Sequence, residues 1–128
     1  MFIIMNEIIF SFERLRSWQK ARELSLKVYR LTEVFPSNER YSLTSQIRRC
    51  AISIAANLAE GSGRKSPKDQ AHFTTIAYGS MMELLSHLSI ASDLNYLTTE
   101  ELQNIKCHIK DLSVNLSNLK AAQLNHPR

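Results

Sequence analysis

An all-α fold, an up-down-up-down antiparallel four-helix bundle assembling as a homo-oligomer, is the architecture this sequence predicts. Three observations carry the prediction. Apolar residues recur at spacings of three and four in four separate segments, the period of a helix with one buried face. Three Gly and three Pro in 128 residues, with 44% hydrophobic side chains, leave little material for the turns of an all-β fold and argue against general disorder. The connections between the segments are short, which makes successive helices antiparallel neighbours. The chain suits one domain that buries its own core. It divides into an apolar N-terminal tail over 1–11, the bundle over 12–125 and a C-terminal tail over 126–128.

The first helix, expected over 14–34, carries Ala21, Leu24, Val28, Leu31 and Phe35 on its buried face and is ended by Pro36. The second, over 43–60, carries Leu43, Ile47, Cys50, Ile54 and Leu58, with Gly61 as its expected C-terminal cap. Ser66-Pro67-Lys68-Asp69 then starts a third helix over 67–94: Ser supplies the N-cap, Pro the first helical position, and Asp an acid beside the free amides. Its core set is Phe73, Ala77, Leu84, Leu88 and Ala91, and Asn95 stops it. Thr98-Thr99-Glu100-Glu101 is a capping box for the fourth, over 99–124, which repeats Leu102, Ile105, Ile109, Leu112, Leu116 and Leu119.

The second helix, SQIRRCAISIAANLAEG, is the most informative stretch. Placed on a wheel of 3.6 residues per turn, its core face is flanked by a polar stripe, Gln46, Arg49, Ser53, Asn57 and Glu60. Arg49 and Glu60 stand three turns apart, about 16 Å, too far to pair with each other. The third helix offers a matching stripe, Gly79, Glu83 and His87, in which Gly79 admits close approach and Glu83 meets Arg49 or Asn57. The expected role is a polar network that sets helix register rather than a catalytic site. The third side carries Ser45, Arg48, Ile52, Ala56 and Ala59. Apolar and small residues on an outward face suit a helix from a second copy; the alternative is that alanine is simply the best helix former and needs no cover.

The net charge of +4, with a pI near 9.3, permits polyanion binding without requiring it. Between Arg40 and Lys65 the bases Arg40, Arg48, Arg49, Arg64 and Lys65 face a single acid, Glu60. Gly61-Ser62-Gly63-Arg64-Lys65-Ser66 is a basic turn feeding a helix N-terminus, where free amides favour a phosphate. Arg48, Arg64, Lys65 and Lys68 are the candidate nucleic-acid contacts, although a Gly-ended helix followed by an N-cap explains every residue of the turn except the adjacent Arg64-Lys65 and is the slightly favoured reading of it. Repetition of the turn around an oligomer would add its charges into one surface.

Catalytic signatures are absent. No GxSxG, Walker, Rossmann or kinase motif is present, and no His follows an Arg at helical spacing. His72, His87, His108 and His126 are scattered without a helical metal pair or a Glu-x-x-His box, so neither metal nor cofactor is expected. Two thiols, Cys50 and Cys107, outside any CxxC pair suit a reduced, cytoplasmic protein. The leading MFIIMNEIIF lacks a basic start and a cleavage site and falls short of the roughly 20 residues of a membrane helix, so neither targeting nor a membrane partner is expected.

In order along the chain, FERLRSWQKARELSLKVYRLTEVFP, YSLTSQIRRCAISIAANLAEGSGR and IAYGSMMELLSHLSIASDL resemble the four-helix-bundle family of 23S ribosomal RNA intervening-sequence proteins. The resemblance runs from Phe12 to about Leu97; the fourth helix matches in pattern only. Cys50, where alanine is common, and the apolar first ten residues depart from it. The resemblance implies a homopentamer, no enzyme activity, and kinship to the accessory protein of diversity-generating retroelements, which binds nucleic acid. The expected function is a non-catalytic, homo-oligomeric protein that binds RNA or DNA; the alternative is a scaffold that assembles the same way and recruits a protein partner.

Overall fold

The computed structural model describes residues 6–125, which form four α-helices and, among the described residues, no strand. Residues 1–5 of the expected apolar tail and the C-terminal tail 126–128 lie outside them.

Helix α1 spans Arg16–Thr32, shorter at both ends than the periodicity suggests. At its start, the Glu13 carboxylate accepts from the Phe10 amide and closes a separate 3-10 turn over Ser11–Arg14, after which extended Leu15 (ψ 119°) breaks the run. At its end, Pro36 has no N–H to give the Thr32 carbonyl. The Phe35 amide donates to that carbonyl instead (3.1 Å), tightening the last turn and swinging the Phe35 ring into the core.

Helix α2 covers Leu43–Ser62 and runs through Gly61 rather than ending there. Gly61 has no positive φ and is buried; its role is close approach, because a Cβ at this position would stand 2.7 Å from the Phe73 Cβ of the next helix. Helix α3, Pro67–Asp93, begins where the Ser66 hydroxyl accepts from the Asp69 amide (3.0 Å). It closes through left-handed Asn95 (φ 65°), whose amide donates to the Ser92 carbonyl while the Tyr96 amide donates to Ala91, a Schellman cap. Helix α4, Thr99–Leu124, opens with both hydrogen bonds of the Thr98–Glu101 capping box.

Each helix packs against two others, α1 on α2 and α4, α3 on α2 and α4, and one core lies between them. The expected apolar faces point into it, with Leu31, Leu43 and Leu119 only partly buried at its margins, while the expected core residue Phe73 is half-buried outside it under the Arg64 guanidinium. Ala51 and Met81 are fully buried beyond those sets. Alanines at 21 and 51 leave room between α1 and α2 for the Ser25 hydroxyl, which donates to the Ala21 and Ala51 carbonyls. Elsewhere Ser17 donates to the Asn115 side chain, the Ser53 and Ser80 hydroxyls share a hydrogen bond, and Thr74 donates to Gln123. These polar groups thus find partners across helix pairs at defined registers. Among the described residues, no helix is long and apolar enough to cross a membrane.

Candidate nucleic-acid interface

Where the connection Phe35–Ser42 returns the chain into α2, the surface is concave. This groove of about 570 Å³ is lined by Tyr29 of α1, by Arg40 and Tyr41 of the connection, and by Thr44, Arg48 and Arg49 of α2. Arg48 is held in place: its Nε donates to the Thr32 hydroxyl (2.9 Å) and its guanidinium lies over the Tyr29 ring, 4.6 Å from the centroid. A guanidinium has five N–H donors, so most of this one stays free for a ligand. Arg40, Arg49 and Tyr41 are exposed, and Arg40 and Arg49 form no ion pair among the described residues. The Thr44 hydroxyl is buried without a hydrogen-bond partner.

No acid lines the groove. The nearest in sequence, Glu39, accepts from the Ser42 hydroxyl (2.6 Å) and the Tyr96 phenol (2.9 Å), and these bonds, Ser42 first, hold its carboxyl below the ordinary carboxylate range. Three arginines interleaved with two tyrosines, their neighbouring acid engaged elsewhere, make a surface for polyanions with planar groups.

The four residues selected from sequence do not share one patch on a single chain. Arg48 sits in the groove, whereas Arg64, Lys65 and Lys68 lie beyond the other end of α2, about 21 Å along the helix. At that end Arg64 donates to the Glu60 carboxylate (2.8 Å) and stacks 4.7 Å from the Phe73 ring centroid. Lys65 and Lys68 are exposed without ion-pair partners among the described residues. The Asp69 carboxylate already occupies the first turn of α3. Against two acids, Glu60 and Asp69, the turn is a weaker anion site than the groove. Arg40, Tyr41 and Tyr29 are the groove residues that the sequence reasoning passed over; the density of bases after Arg40 was the signal available.

The polar stripe also differs from expectation. Arg49 forms no ion pair with Glu83, Gln46 is exposed, and Glu60 takes its partner from Arg64 four residues on. Within the stripe, Asn57 donates to the Ser53 carbonyl and hydroxyl, and Ser53 reaches Ser80. Of these groups only the Ser53–Ser80 hydroxyl pair ties α2 to α3, and among the described residues no arginine–carboxylate pair does. Gly79 is exposed with nothing within 4 Å of an added Cβ, so it admits no close approach inside the chain. Glu83 instead accepts from the Cys50 thiol (3.0 Å). Burial, then that hydrogen bond and the carboxylate's charge, push the thiol up to about 12. With His87 these two residues bring a sulfur, an oxygen and a nitrogen within 4.8 Å of one another, the donor types that hold a metal ion.

On the outward face of α2, Ile52 is 48% exposed and Ala56 is exposed, while Ser45 and Ala59 are half-buried. Ser45 and Ile52 lie in the same groove as the arginines.

The 23S rRNA-intervening sequence protein family model matches residues 13–118. A crystal structure of a protein of unknown function from the S23 ribosomal protein family of Bacteroides thetaiotaomicron superposes with a TM-score of 0.74 at 21% identity, covering 81% of this chain and 97% of that one. At that identity the likeness is one of fold. No curated protein matches the chain.

Proposed function

For a chain that belongs to the 23S rRNA-intervening sequence protein family, we propose a non-catalytic nucleic-acid-binding role, exercised by a cytoplasmic homo-oligomer of up-down-up-down bundles. The observation that carries the binding role is the acid-free groove with Arg40, Arg48 and Arg49 set among Tyr29 and Tyr41. Guanidinium groups take phosphate oxygens bidentately, and tyrosine rings offer platforms for unstacked bases. The hydrogen-bonded pairs Ser25–Ala51, Ser53–Ser80, Thr74–Gln123 and Ser17–Asn115 support the antiparallel order of the helices. Assembly draws on the uncovered Ile52 and Ala56; a count of five, and kinship to the retroelement accessory protein, rest on the family resemblance. Two free thiols suit a reducing compartment.

Fluorescence anisotropy with labelled single-stranded RNA and duplex DNA, titrated at several salt concentrations, tests the reading. Binding is expected to weaken steeply with salt. Arg40→Ala with Arg49→Ala is expected to shallow the slope of log affinity against log salt by about 2, one for each lost phosphate contact. Absence of binding at about 50 mM salt refutes the role.

One observation favours a second reading. Ile52 shares the groove with the arginines, and a protein partner, or a second copy, that covers Ile52 takes the groove with it. The protein is then a scaffold, and light scattering shows assembly with no gain in mass on adding nucleic acid.

A further inference from the structure

Between α2 and α3, three chemically different side chains converge. Cys50 is buried at 4% exposure, Glu83 and His87 stand one turn apart on the same face of α3, and their ligand atoms lie within 4.8 Å of one another. A second observation is independent of that clustering. The Nε2 of His87 is buried and has no hydrogen-bond partner, a vacancy that native structures rarely tolerate because it leaves a desolvated polar atom unpaid. A ring nitrogen of the same imidazole is one of the three converging atoms.

We propose that Cys50, Glu83 and His87 bind one zinc-type divalent cation, which clamps α2 to α3.

The donor set selects the ion. Thiolate with imidazole suits Zn²⁺ and disfavours Mg²⁺ and Ca²⁺, which take oxygen shells. Bond lengths of about 2.0 Å to nitrogen and oxygen and about 2.3 Å to sulfur place tetrahedral ligand atoms about 3.3–3.5 Å apart. The Cys50–Glu83 pair, now 3.0 Å apart, opens slightly and His87, within 4.8 Å of both, closes by at most about 1.5 Å, movements within reach of side-chain rotation alone. A helix presenting ligands at i and i+4 holds them on one face, and the third ligand from the neighbouring helix makes the site a cross-link. Thiolate and carboxylate together neutralise the dication, so the positive charge of Arg49, felt at Cys50, does not oppose it. On binding, the S–H bond of Cys50 breaks, its proton passes to bulk water and the sulfur electron pair forms the metal bond, with no change of oxidation state. Glu83 is exposed, so water completes the fourth position from the solvent side.

The sequence conceals this site because its parts are divided. Glu83 and His87 are legible as a spacing of four, but the cysteine 33 residues earlier joins them only through helix packing.

The test uses full-length, reduced protein carrying Cys107→Ser, which removes the exposed thiol and leaves Cys50 as the sole sulfur ligand of cysteine. Zn²⁺ titrated by calorimetry is expected to bind at one ion per chain, and Co²⁺ in its place is expected to show a near-ultraviolet thiolate-to-metal band. Adding Cys50→Ala or His87→Gln is expected to weaken Zn²⁺ binding at least tenfold. A Co²⁺ spectrum without the thiolate band in the folded Cys107→Ser protein overturns the proposal, and this readout does not depend on whether the further variants fold. Zn²⁺ affinity unchanged by Cys50→Ala overturns it too, since the ion then sits on surface histidines.

Discussion

Gly61→Ala is a small change with a calculable outcome. In a helix, alanine is favoured over glycine by about 1 kcal/mol, and a reading confined to propensity predicts a more stable protein. The structure predicts the opposite. The new Cβ would stand 2.7 Å from the Phe73 Cβ and 3.5 Å from the Gln70 carbonyl oxygen, where carbon atoms prefer about 3.5–4.0 Å. The Phe73 Cβ is bound directly to the α3 backbone, so no flexible tip can swing aside and α2 and α3 must part by about 1 Å. Overpacking of this kind costs about 1–3 kcal/mol, and a gap of that width forfeits a quarter to a half of the dispersion attraction along the contact. Taking the upper end for a rigid neighbour and subtracting the propensity gain leaves a net loss of about 2 kcal/mol. With an unfolding entropy of about 2.1 cal/mol/K per residue, that lowers the melting temperature by about 7 °C. Thermal melts by far-ultraviolet circular dichroism, at matched protein concentration because assembly adds its own stabilisation, measure it. Gly79→Ala is the control: with open space around it, the same substitution should raise the melting temperature by about 3–4 °C. A Gly61→Ala protein that melts at or above the parent temperature refutes the close-packing account of this glycine.

Other outcomes follow from the same geometry. Ile52→Glu places a charge on the outward face of α2 and should reduce the light-scattering mass to that of one 14.7 kDa chain while leaving helicity unchanged; retention of the parental mass removes Ile52 from the interface. At pH 8 the Cys50 thiol, raised to about 12, should be ionised in roughly one molecule in ten thousand, so a disulfide reagent should label exposed Cys107 quickly and Cys50 only on denaturation. Two equally fast thiols would contradict that burial. The Glu39 carboxyl is depressed below its ordinary value of 4.5, so its contribution is present above that value and lost as the pH falls through the lower folded value. Tyr96→Phe removes one of its hydrogen bonds, and urea titrations should show the gap between variant and parent closing over the range of falling pH below 4.5. A gap that stays constant across that range would mean the hydroxyl contributes independently of the Glu39 charge.

What the chain determines locally it declares in its sequence. Four amphipathic repeats, the Ser66 and Thr98 caps and the Asn95 stop are legible because each depends on residues within a turn or two of one another. The same holds for the apolar outward face of α2. Tertiary structure decided everything that needs two helices at once. Gly61 reads as a helix terminator from its neighbours, and only the approach of Phe73 shows that the helix continues through it. Glu83 reads from its stripe as a partner of Arg49 or Asn57, yet the packing of α2 on α3 puts Cys50 opposite the carboxylate. Arg48 and the Arg64–Lys65 turn read alike as candidate nucleic-acid contacts, but the length of α2 holds them apart and groups Arg48 with Arg40, Arg49 and two tyrosines instead. Periodicity specifies which face of a helix is buried; the rotation and axial slide of one helix against the next, set by packing volumes such as those at Gly61, Ala21 and Ala51, specify which polar side chains meet.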